Sequence, residues 1–517
     1  MPRRRFPRLL LAAGIMLAFS AGQLPLQPAA GQKPPAAEPA AAGPQDAIPA
    51  DLYVDDDNAG QQDGSALRPF RTVQQAIDAA KDNSVIAVAA GTYPRNIRVQ
   101  EKSVRLYGGY LGGTKAGYAA GTAGEFTVRD PAASPSHLKG DGKDTVVTLY
   151  EAGASVVDGF LVTGGGRSAQ FAPEQWLGGG FLIYEGSPTL SNNVIEKNRT
   201  CPPVPQDQET YGGGIYSTAA TLSILNNIIR DNVSGRGAGI YADGPKLVIR
   251  GNTVQNNIGV SDHGGGIFIF SPNAEFSHNR VEGNEIGRGM GYGWGGGMIV
   301  VNKGGHFKLS HNVFTGNFAP SLGSAFFADE GAAASMDHDL VYDNKGSPAF
   351  EGGVVYVDGN ENGIGSSLTL NHVTIADNPC GPEVKGNAVK ATGNSKVTVK
   401  NCILWNNGDD DVEADGTSKT AVTYTLSREK IKGTGNLSQD PLFANFEGHD
   451  YRLRSTAGRW NPAANGEGGT WVLDSEHSPA IDAADPAAPF NLEPAPNGGR
   501  ANLGAYGNTE QASKSAR

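Results

Sequence analysis

Cysteine is scarce in this chain of 517 residues, with three copies at positions 201, 380 and 402. An odd number cannot form a complete disulfide framework. Cys380 and Cys402 stand at different places in the repeat described below, so we expect no bridge between them. The spacing of the three also matches no cysteine metal site.

Positive charge is in short supply as well. The chain has 42 lysines and arginines against 53 acidic residues, which gives a formal net charge of −11. Nucleic acids attract basic surfaces, so we expect no nucleic-acid partner. No segment of the repeat region keeps a helical period over ten residues, which excludes leucine-rich, ankyrin and helical-pair repeats.

The first 50 residues are typical of an export signal followed by a linker. Four arginines within the first eight residues precede an apolar stretch, 9–19, that is too short to span a bilayer. We interpret residues 1–30 as a signal peptide and residues 31–50, rich in proline and alanine, as a flexible linker. We therefore expect an extracellular or cell-surface protein, with the periplasm as an alternative and no transmembrane span after signal removal.

Glycine is abundant, with 72 copies, about twice the usual share. Many of these glycines belong to triplets of small residues that precede a hydrophobic residue. The triplets begin at Gly178, Gly212, Gly237, Gly264 and Gly295, with degenerate versions at Gly323, Gly352 and Gly386.

Further along each repeat, a second hydrophobic residue stands three positions before an asparagine. These asparagines are Asn198, Asn232, Asn257, Asn284, Asn317, Asn344, Asn378 and Asn407. The third triplet residue and the asparagine are 18 residues apart in the first four repeats and 19 to 24 apart in the others, whereas the next triplet follows after 7 to 16 residues. One constant arm and one variable arm indicate a solenoid with loops on one face.

The constant arm alternates hydrophobic and polar residues in short runs separated by asparagine pairs, such as Asn192-Asn193 and Asn226-Asn227. Such runs are strands joined by tight turns. We therefore predict an all-β, right-handed parallel β-helix with three short strands per coil and ten to eleven coils. The recurring asparagines should form a structural ladder, each bonding its amide to the copies above and below.

These glycine triplets and hydrophobic-x-x-Asn words resemble the repeats of polymorphic outer-membrane proteins. More broadly, they resemble secreted bacterial β-helix proteins of the pectate-lyase-like superfamily. The resemblance implies the β-helix fold over most of the mature chain. It leaves the activity open, because this fold serves lyases, hydrolases and adhesins alike.

The remaining segments complete the domain organisation. Residues 51–107 should form an N-terminal cap and the first coils, because Thr72 and Gln75 make a capping box before an apolar helical face. Residues 108–435 should form the repeats. Residues 436–517 resemble a choice-of-anchor-like C-terminal module, and we expect this module to cap the last coil.

The variable loops carry aromatic, acidic and arginine side chains that suit a glycan, because sugar rings stack on aromatics and bond to charged groups. The glycan-binding candidates are Arg167, Glu174, Trp176, Tyr211, Asp262, His263, Arg288, Tyr292 and Trp294. Alternatively, these are ordinary polar loops whose aromatics pack on the coil beneath. Our leading prediction is a non-catalytic surface or secreted protein that engages glycan or extracellular matrix through these loops, and a purely structural spacer is a further alternative.

The catalytic alternative is a polysaccharide lyase or glycoside hydrolase. The resemblance implies that a lyase would need Asp residues holding Ca²⁺ and an Arg or Lys base on neighbouring coils. The densest acidic run, Asp409, Asp410 and Asp411, suits a calcium site but is better explained as a solvated turn. Asp262-His263 is similar to one piece of a hydrolase site, but the companion Asn-x-Asp piece is missing. No catalytic residue is assigned.

Four histidines occupy similar turn positions beside Asn or Asp. They are His278, His311, His338 and His372. A stacked row of structural turn residues explains them better than a metal or catalytic array does.

Overall fold

The computed structural model describes residues 45–46, 48–94, 96–166, 176–201, 210–287, 290–301, 304–346, 352–378, 387–408, 410–463 and 468–516. Within these residues the chain winds through three long sheets, and almost every strand pairs in parallel with the strand one coil away. The predicted fold class, a parallel β-helix with three strands per coil, is confirmed. Each coil runs from sheet I to sheet II to sheet III.

Sheet I begins each coil after the glycine triplet. Its eleven described strands are Ile97–Gln100, Val147–Tyr150, Phe181–Tyr184, Ile215–Ser217, Ile240–Asp243, Ile267–Phe270, Met298–Val301, Phe326–Asp329, Val355–Val357, Asn387–Ala391 and Asp410–Ala414.

Sheet II follows, and it also contains the only antiparallel strands among those described in the three long sheets, at its N-terminal end. Its strands are Gln45–Asp46, Leu52–Val54, Ser84–Ala89, Val104–Gly112, Glu125–Arg129, Val156–Asp158, Thr189–Ser191, Thr221–Leu225, Lys246–Arg250, Asn273–Ser277, His306–Ser310, Ala333–Asp337, Ser367–Asn371, Lys396–Lys400 and Lys419–Thr423.

Sheet III closes each coil before the variable loop. Its strands are Gly91–Tyr93, Ser136–Lys139, Phe160–Thr163, Val194–Glu196, Ile228–Arg230, Thr253–Gln255, Arg280–Glu282, Val313–Thr315, Leu340–Tyr342, Thr374–Ala376, Ile403–Trp405 and Leu426–Ser427.

Short two-stranded pairs and two helices complete the described structure. Three parallel pairs lie in the variable loops, and two antiparallel hairpins lie in the C-terminal module. The loop pairs are Trp176–Leu177 with Thr210–Tyr211, Val233–Ser234 with Ile258–Gly259, and Phe318–Ala319 with Lys345–Gly346. The hairpins are Phe443–Asn445 with Asp450–Leu453 and Arg459–Pro462 with Gly469–Val472, and the helices are Val73–Ala79 and Lys115–Ala119.

The first helix lies against the N-terminal end of the core. Thr72 and Gln75 form a reciprocal capping box, so the first turn satisfies its own backbone donors. Val73, Ala76 and Ile77 are buried in the same hydrophobic cluster as the coil interiors. The helix thus covers apolar surface that an open solenoid end would expose.

Two ladders of buried polar side chains run along the solenoid. The eight asparagines of the hydrophobic-x-x-Asn words lie after sheet III, and each of the first seven donates its side-chain amide to the side-chain oxygen of the next over 2.8–3.0 Å. None is more than 1% exposed. Buried amides are costly unless paired, and here each of the first seven bonds to the coils on either side, while Asn407 bonds to the preceding coil.

The second ladder lies at the turn between sheets II and III. Asn193, Asn227, Asn252, Asn279 and Asn312 each pass one amide hydrogen bond to the next coil over 2.9–3.1 Å. The last acceptor is the carboxyl group of Asp339, which stands where the earlier coils carry asparagine. The sequence analysis treated the asparagine pairs as turns and missed this column.

An insertion of residues 113–135 between sheets II and III is anchored by a buried ion pair. Arg129 is 1% exposed, and its guanidinium contacts the Asp158 carboxylate. Its Nε also donates to the Gly108 carbonyl over 3.0 Å. The second oxygen of Asp158 accepts a hydrogen bond from Asn192 over 2.7 Å.

The C-terminal module lies along the flank of the solenoid, where the sequence analysis expected it to cap the last coil. Residues after the last coil do extend sheet III, through a bridge between Leu426 and Leu437. However, the module core, around Tyr451 and Leu503, packs on Tyr342 and Ile403, which belong to the outer surface of sheet III. Apolar outward-facing residues on these coils explain the lateral position, because they would otherwise meet water.

Candidate functional site

The outer face of sheet I carries an apolar column with one residue per coil. Its members, paired in register, are Leu182, Tyr216, Tyr241, Phe268, Ile299, Phe327 and Tyr356. The Tyr216 and Tyr241 rings stack with centroids 5.2 Å apart, and the Tyr241 and Phe268 rings stack at 5.0 Å. Because stacked strands repeat every 4.8 Å or so, the rings form a row along the solenoid axis.

A second column lies over the first and is formed by the residue that precedes each glycine triplet. Its members are Leu177, Tyr211, Arg236, His263, Trp294 and Leu322. The variable loop returns here across the outer face of sheet I, so the Tyr211 ring comes within 4.8 Å of the Tyr241 ring. His263 and Trp294, on successive coils, are also 4.8 Å apart.

The first glycine of each triplet makes this return possible. Gly212 has a φ of +63°, in the left-handed region that favours glycine, and a Cβ there would lie 2.4 Å from the Ile215 carbonyl oxygen and 2.8 Å from the Tyr216 Cα. The chain therefore reverses at this point with no room for a side chain. The same left-handed conformation recurs at the first position of five other triplets, Gly178, Gly237, Gly264, Gly295 and Gly323.

Replacing Gly212 by alanine should destabilise the fold by at least about 2 kcal/mol, because the left-handed conformation alone costs about 1–2 kcal/mol and the Cβ also collides with backbone. Gly142→Ala is the matched control, since Gly142 has a φ of +77° but no atom near its Cβ position. Denaturant unfolding of both variants measures the difference. Equal losses would show that the collision contributes nothing.

A polar cluster interrupts the aromatic surface where three successive loops meet. Arg236 contacts Asp262 with two parallel bonds, Nε to Oδ1 at 2.7 Å and Nη2 to Oδ2 at 3.1 Å. Nδ1 of His263 lies 2.9 Å from the same Oδ1. The Arg236 guanidinium also lies over the Tyr211 ring at 5.9 Å.

The cluster keeps Asp262 ionised over the physiological range. Burial opposes ionisation of the Asp262 carboxyl, but the adjacent His263 and Arg236 outweigh it and hold its pKa well below the ordinary value. The three side chains remain about a quarter exposed. A fixed carboxylate and a fixed guanidinium at a surface can therefore offer both acceptors and donors to a hydroxyl-rich ligand.

The aromatic side chains divide into accessible and packed groups. Tyr292 is 45% exposed and its ring lies 6.0 Å from that of Trp294, which is partly exposed. Tyr211 and Phe268 are each 9% exposed and pack on the coils beneath. The accessible surface is thus centred on Trp294 and Tyr292, beside the polar cluster.

The structure brings together five of the candidates predicted from the sequence, namely Tyr211, Asp262, His263, Tyr292 and Trp294. Trp176 lies in the strand that pairs with Thr210–Tyr211, but its neighbour Leu177 occupies the column, so Trp176 points to the other side. The candidates Arg167, Glu174 and Arg288 lie outside the described residues.

The sequence analysis missed the outward column of sheet I. Tyr216, Tyr241 and Phe268 each stand two positions after their triplet. That recurrence was visible in the sequence, but we had assigned the binding surface to the loops alone.

The acidic run near the last coil divides between two faces of a strand. Asp411 is buried and accepts from the Arg428 backbone N–H over 2.9 Å, and burial raises its pKa to about 6. Asp410 is exposed on the opposite face, and Asp409 lies outside the described residues. No group of three or more His, Cys, Asp or Glu in the described part of the chain could hold a metal ion, so calcium binding stays a prediction.

The four turn histidines form a parallel stack. Successive ring centroids from His278 through His311 and His338 to His372 are 5.0 Å apart. All four have a positive φ, between 49° and 57°, at the turn that precedes sheet III. This geometry is that of stacked turn residues.

Comparisons with known proteins agree with the architecture. A family model described as the right handed beta helix region matches residues 158–314, and one described as disaggregatase related matches residues 401–484. The crystal structure of pectate lyase Pel9A is similar with 11% identity and a TM-score of 0.43, and the match covers 88% of this chain and 95% of that one. Neither value supports an argument about activity. No curated protein matches the sequence.

The described helices give no sign of a membrane span, since none has the length and apolar character that crossing would need. The resemblance of the C-terminal module to an anchor stays a prediction, as does the signal peptide, which lies outside the described residues.

Proposed function

We propose that this chain binds polysaccharide or a surface glycan along the outer face of sheet I, as a secreted or cell-surface protein without catalysis of its own. The observation that carries the proposal is the accessible pair Trp294 and Tyr292 beside the Arg236–Asp262–His263 cluster. Aromatic faces take the apolar side of a sugar ring, and the fixed carboxylate and guanidinium bond to its hydroxyl groups.

The arrangement of the surface supports an extended ligand. The stacked row of Tyr216, Tyr241 and Phe268 continues the aromatic surface along the axis at one ring per coil. A polymer lying parallel to the axis would meet the partly exposed Tyr216 and Tyr241 rings as well as Tyr292 and Trp294. The mostly pre-formed, packed site would also lose little conformational freedom on binding.

Trp294→Ala should weaken binding about ten- to hundred-fold, because burying a large apolar side chain against a ligand contributes about 1.5–3 kcal/mol. Tyr292→Ala should also weaken binding and, at 45% exposure, should leave stability unchanged. Affinity electrophoresis against a panel of neutral and uronate polysaccharides identifies the ligand, and calorimetry then gives the dissociation constant.

Trp471→Ala is the control for this experiment. Trp471 is 36% exposed but belongs to the C-terminal module, so its loss should not change retention on any polysaccharide that the solenoid binds. If both Trp294→Ala and Tyr292→Ala bind as the parent chain does, the proposed surface is wrong.

A catalytic function is the second candidate, favoured by the contact between Asp262 and His263. A carboxylate 2.9 Å from Nδ1 can stabilise a proton taken up by the ring, as a general base requires. Polysaccharide lyase or hydrolase activity would then depend on His263. Incubation with the same panel, with Ca²⁺ or with chelator, distinguishes unsaturated ends from reducing ends. Product formation that His263→Ala abolishes would replace the binding proposal with an enzymatic one.

A further inference from the structure

The interface between the C-terminal module and the solenoid contains buried groups that titrate. In the coil of Ala333–Asp337 and Leu340–Tyr342, the turn between sheets II and III is His338-Asp339. His338 lies directly under the module, with Nε2 2.8 Å from the Gly507 carbonyl oxygen. Leu340 and Tyr342 pack against the module core.

Asp339 is tied to the module through Thr374 on the next coil. The Thr374 N–H donates to the Asp339 carbonyl over 3.1 Å, and the Thr374 hydroxyl accepts from the Ala505 N–H over 3.0 Å. A shift of the Asp339 backbone would therefore move a direct contact of the module.

The second asparagine ladder has a regular hydrogen-bond rule. Each side-chain oxygen accepts from the previous rung, and each amide nitrogen also donates to a backbone carbonyl of the preceding coil. Asn279 donates to the Ile249 carbonyl, and Asn312 donates to the Phe276 carbonyl, both over 2.9 Å. Ile249, Phe276 and Leu309 pair in register, so the matching acceptor for Asp339 is the Leu309 carbonyl.

Asp339 obeys this rule only when it carries a proton. Its Oδ1 accepts from the N–H and the side-chain amide of Asn312, over 2.7 and 2.9 Å. Its Oδ2 is buried with no hydrogen-bond partner among the described residues. This oxygen corresponds to the side-chain amide nitrogen that donates in the asparagine rungs. A carboxylic acid supplies that donor, whereas a carboxylate would face the Leu309 carbonyl with like charge. Burial accordingly raises the pKa of Asp339 to about 7.

His338 also needs a proton to satisfy both of its ring nitrogens. Nδ1 lies 2.9 Å from the Asp337 carboxylate and Nε2 lies 2.8 Å from the Gly507 carbonyl, and both of these groups are acceptors. Only the imidazolium donates from both nitrogens. Burial lowers the pKa of His338, but Asp337 and the Gly507 carbonyl more than compensate and raise it above the ordinary value.

The neighbouring histidines act on the acid side, whereas Glu493 of the module, which accepts from the Asn502 and Asn508 backbone N–H groups, has its pKa raised by burial to about 7. Burial and then the charge of His338 lower the pKa of His372 to about 4, and the pKa of His311 is lowered for the same two reasons. Lys400 and Asp485 form an ion pair of 2.6 Å across the same interface. Neutral His372 and His311 on either side thus allow a single charged ring in the stack.

We propose that Asp339 and His338 form a proton-dependent latch, which holds the C-terminal module on sheet III at mildly acidic pH and loosens it above neutrality. The latch contains two bound protons, one on the Asp339 carboxyl group and one on the His338 imidazole, which contacts the module. Loss of the Asp339 proton leaves a buried carboxylate facing the Leu309 carbonyl inside the solenoid, and loss of the His338 proton leaves one ring nitrogen without a proton to donate to Asp337 or to the Gly507 carbonyl of the module.

The pH window follows from the direction of each shift. The raised pKa of Asp339 stabilises the folded state fully below about pH 4, and this contribution to stability is lost as pH rises to about 7. The contribution of His338 to stability is lost as pH rises through its pKa, which lies above about 6.5. His372 works in the opposite direction, because its lowered pKa costs stability as pH falls from about 6.5 to 4. Below about pH 6.5, the opposite effects of Asp339 and His372 on stability offset one another. Above that pH, the remaining losses at Asp339 and His338 weaken docking of the module.

Hydrogen exchange of the full chain between pH 5.5 and 8.5, corrected for intrinsic exchange rates, tests the latch. Protection of the amides in 503–507 should fall about ten-fold or more from pH 6 to pH 8.5, while the amides of 240–257 keep theirs. Asp339→Asn should reduce that fall, because an amide donates to the Leu309 carbonyl at every pH. His338→Gln should lower protection already at pH 6.

Asp231→Asn is the matched control, because Asp231 is an exposed turn residue four coils earlier, with a φ of +56°. It should leave the pH profile of 503–507 unchanged. A flat profile in the parent chain, or an Asp339→Asn profile no different from that of Asp231→Asn, would overturn the proposal.

Discussion

Replacing Arg129 by methionine will lower the free energy of unfolding by about 3–5 kcal/mol, the typical cost of removing one partner of a buried ion pair. The loss arises because the Asp158 carboxylate stays buried without its guanidinium, and the Gly108 carbonyl loses its donor. Methionine keeps most of the apolar volume of the arginine stem. Urea unfolding monitored by tryptophan fluorescence measures the change.

Two further variants separate the charge from the packing. Arg105→Met removes an exposed arginine in the adjacent strand and should change stability by less than about 0.5 kcal/mol. Adding Asp158→Asn to Arg129→Met removes the stranded charge and should restore part of the loss. A double variant as unstable as the single one would show that packing, and not the buried charge, sets the cost.

Asn257→Leu, in the middle of the first ladder, will destabilise the chain by about 3–6 kcal/mol, because each buried group left without a partner costs about 1–3 kcal/mol. The Asn232 N–H and side-chain amide both lose their acceptor, and the Ile229 carbonyl loses its donor. A leucine of similar size cannot replace any of these bonds. Denaturant unfolding followed by circular dichroism gives the loss of stability.

The adjacent turn residue supplies the control for the ladder. Asn256 is exposed with a φ of +53°, so Asn256→Gly preserves the turn and removes a side chain that faces solvent. Its stability should stay within about 0.5 kcal/mol of the parent chain. A similar loss at both positions would mean that the turn itself, and not the buried ladder, is sensitive to substitution.

The fold class could be predicted from the sequence because its determinants are local and repeat. The fixed distance between each triplet and its asparagine requires each coil to place the same groups at the same point. Asn198 and Asn232 then bond because register stacks like on like. The capping box of Thr72 and Gln75 is equally local, since its two bonds join residues three apart.

The position of the C-terminal module could not be predicted in this way. Its core packs on Tyr342 and Ile403, which are separated from it by a long stretch of sequence and share no repeated spacing with it. Outward-facing apolar residues on sheet III were a signal, but the sequence does not say what covers them. Asp339 likewise has no local sequence signal that would place it in a buried column of asparagines.

Part of the candidate site could be predicted because its residues recur at equivalent positions of the repeat. Asp262 and His263 are neighbours in sequence, and Trp294 occupies the same position one repeat later, so their proximity follows from the repeat. The bidentate bond from Arg236 to Asp262 depends on side-chain directions within two loops of different length. Spacing alone does not determine those directions.

The lateral position of the module also bears on how the chain folds. Contacts between coils join residues 25 to 37 positions apart, as in the ladders, so a short nucleus can form locally and extend in either direction. The contact between His338 and Gly507 spans 169 residues and closes a far longer loop. Loop-closure entropy therefore places docking of the module after the coils beneath it have formed. During synthesis, the last coils must keep their apolar flank in water until residues 443–507 have left the ribosome.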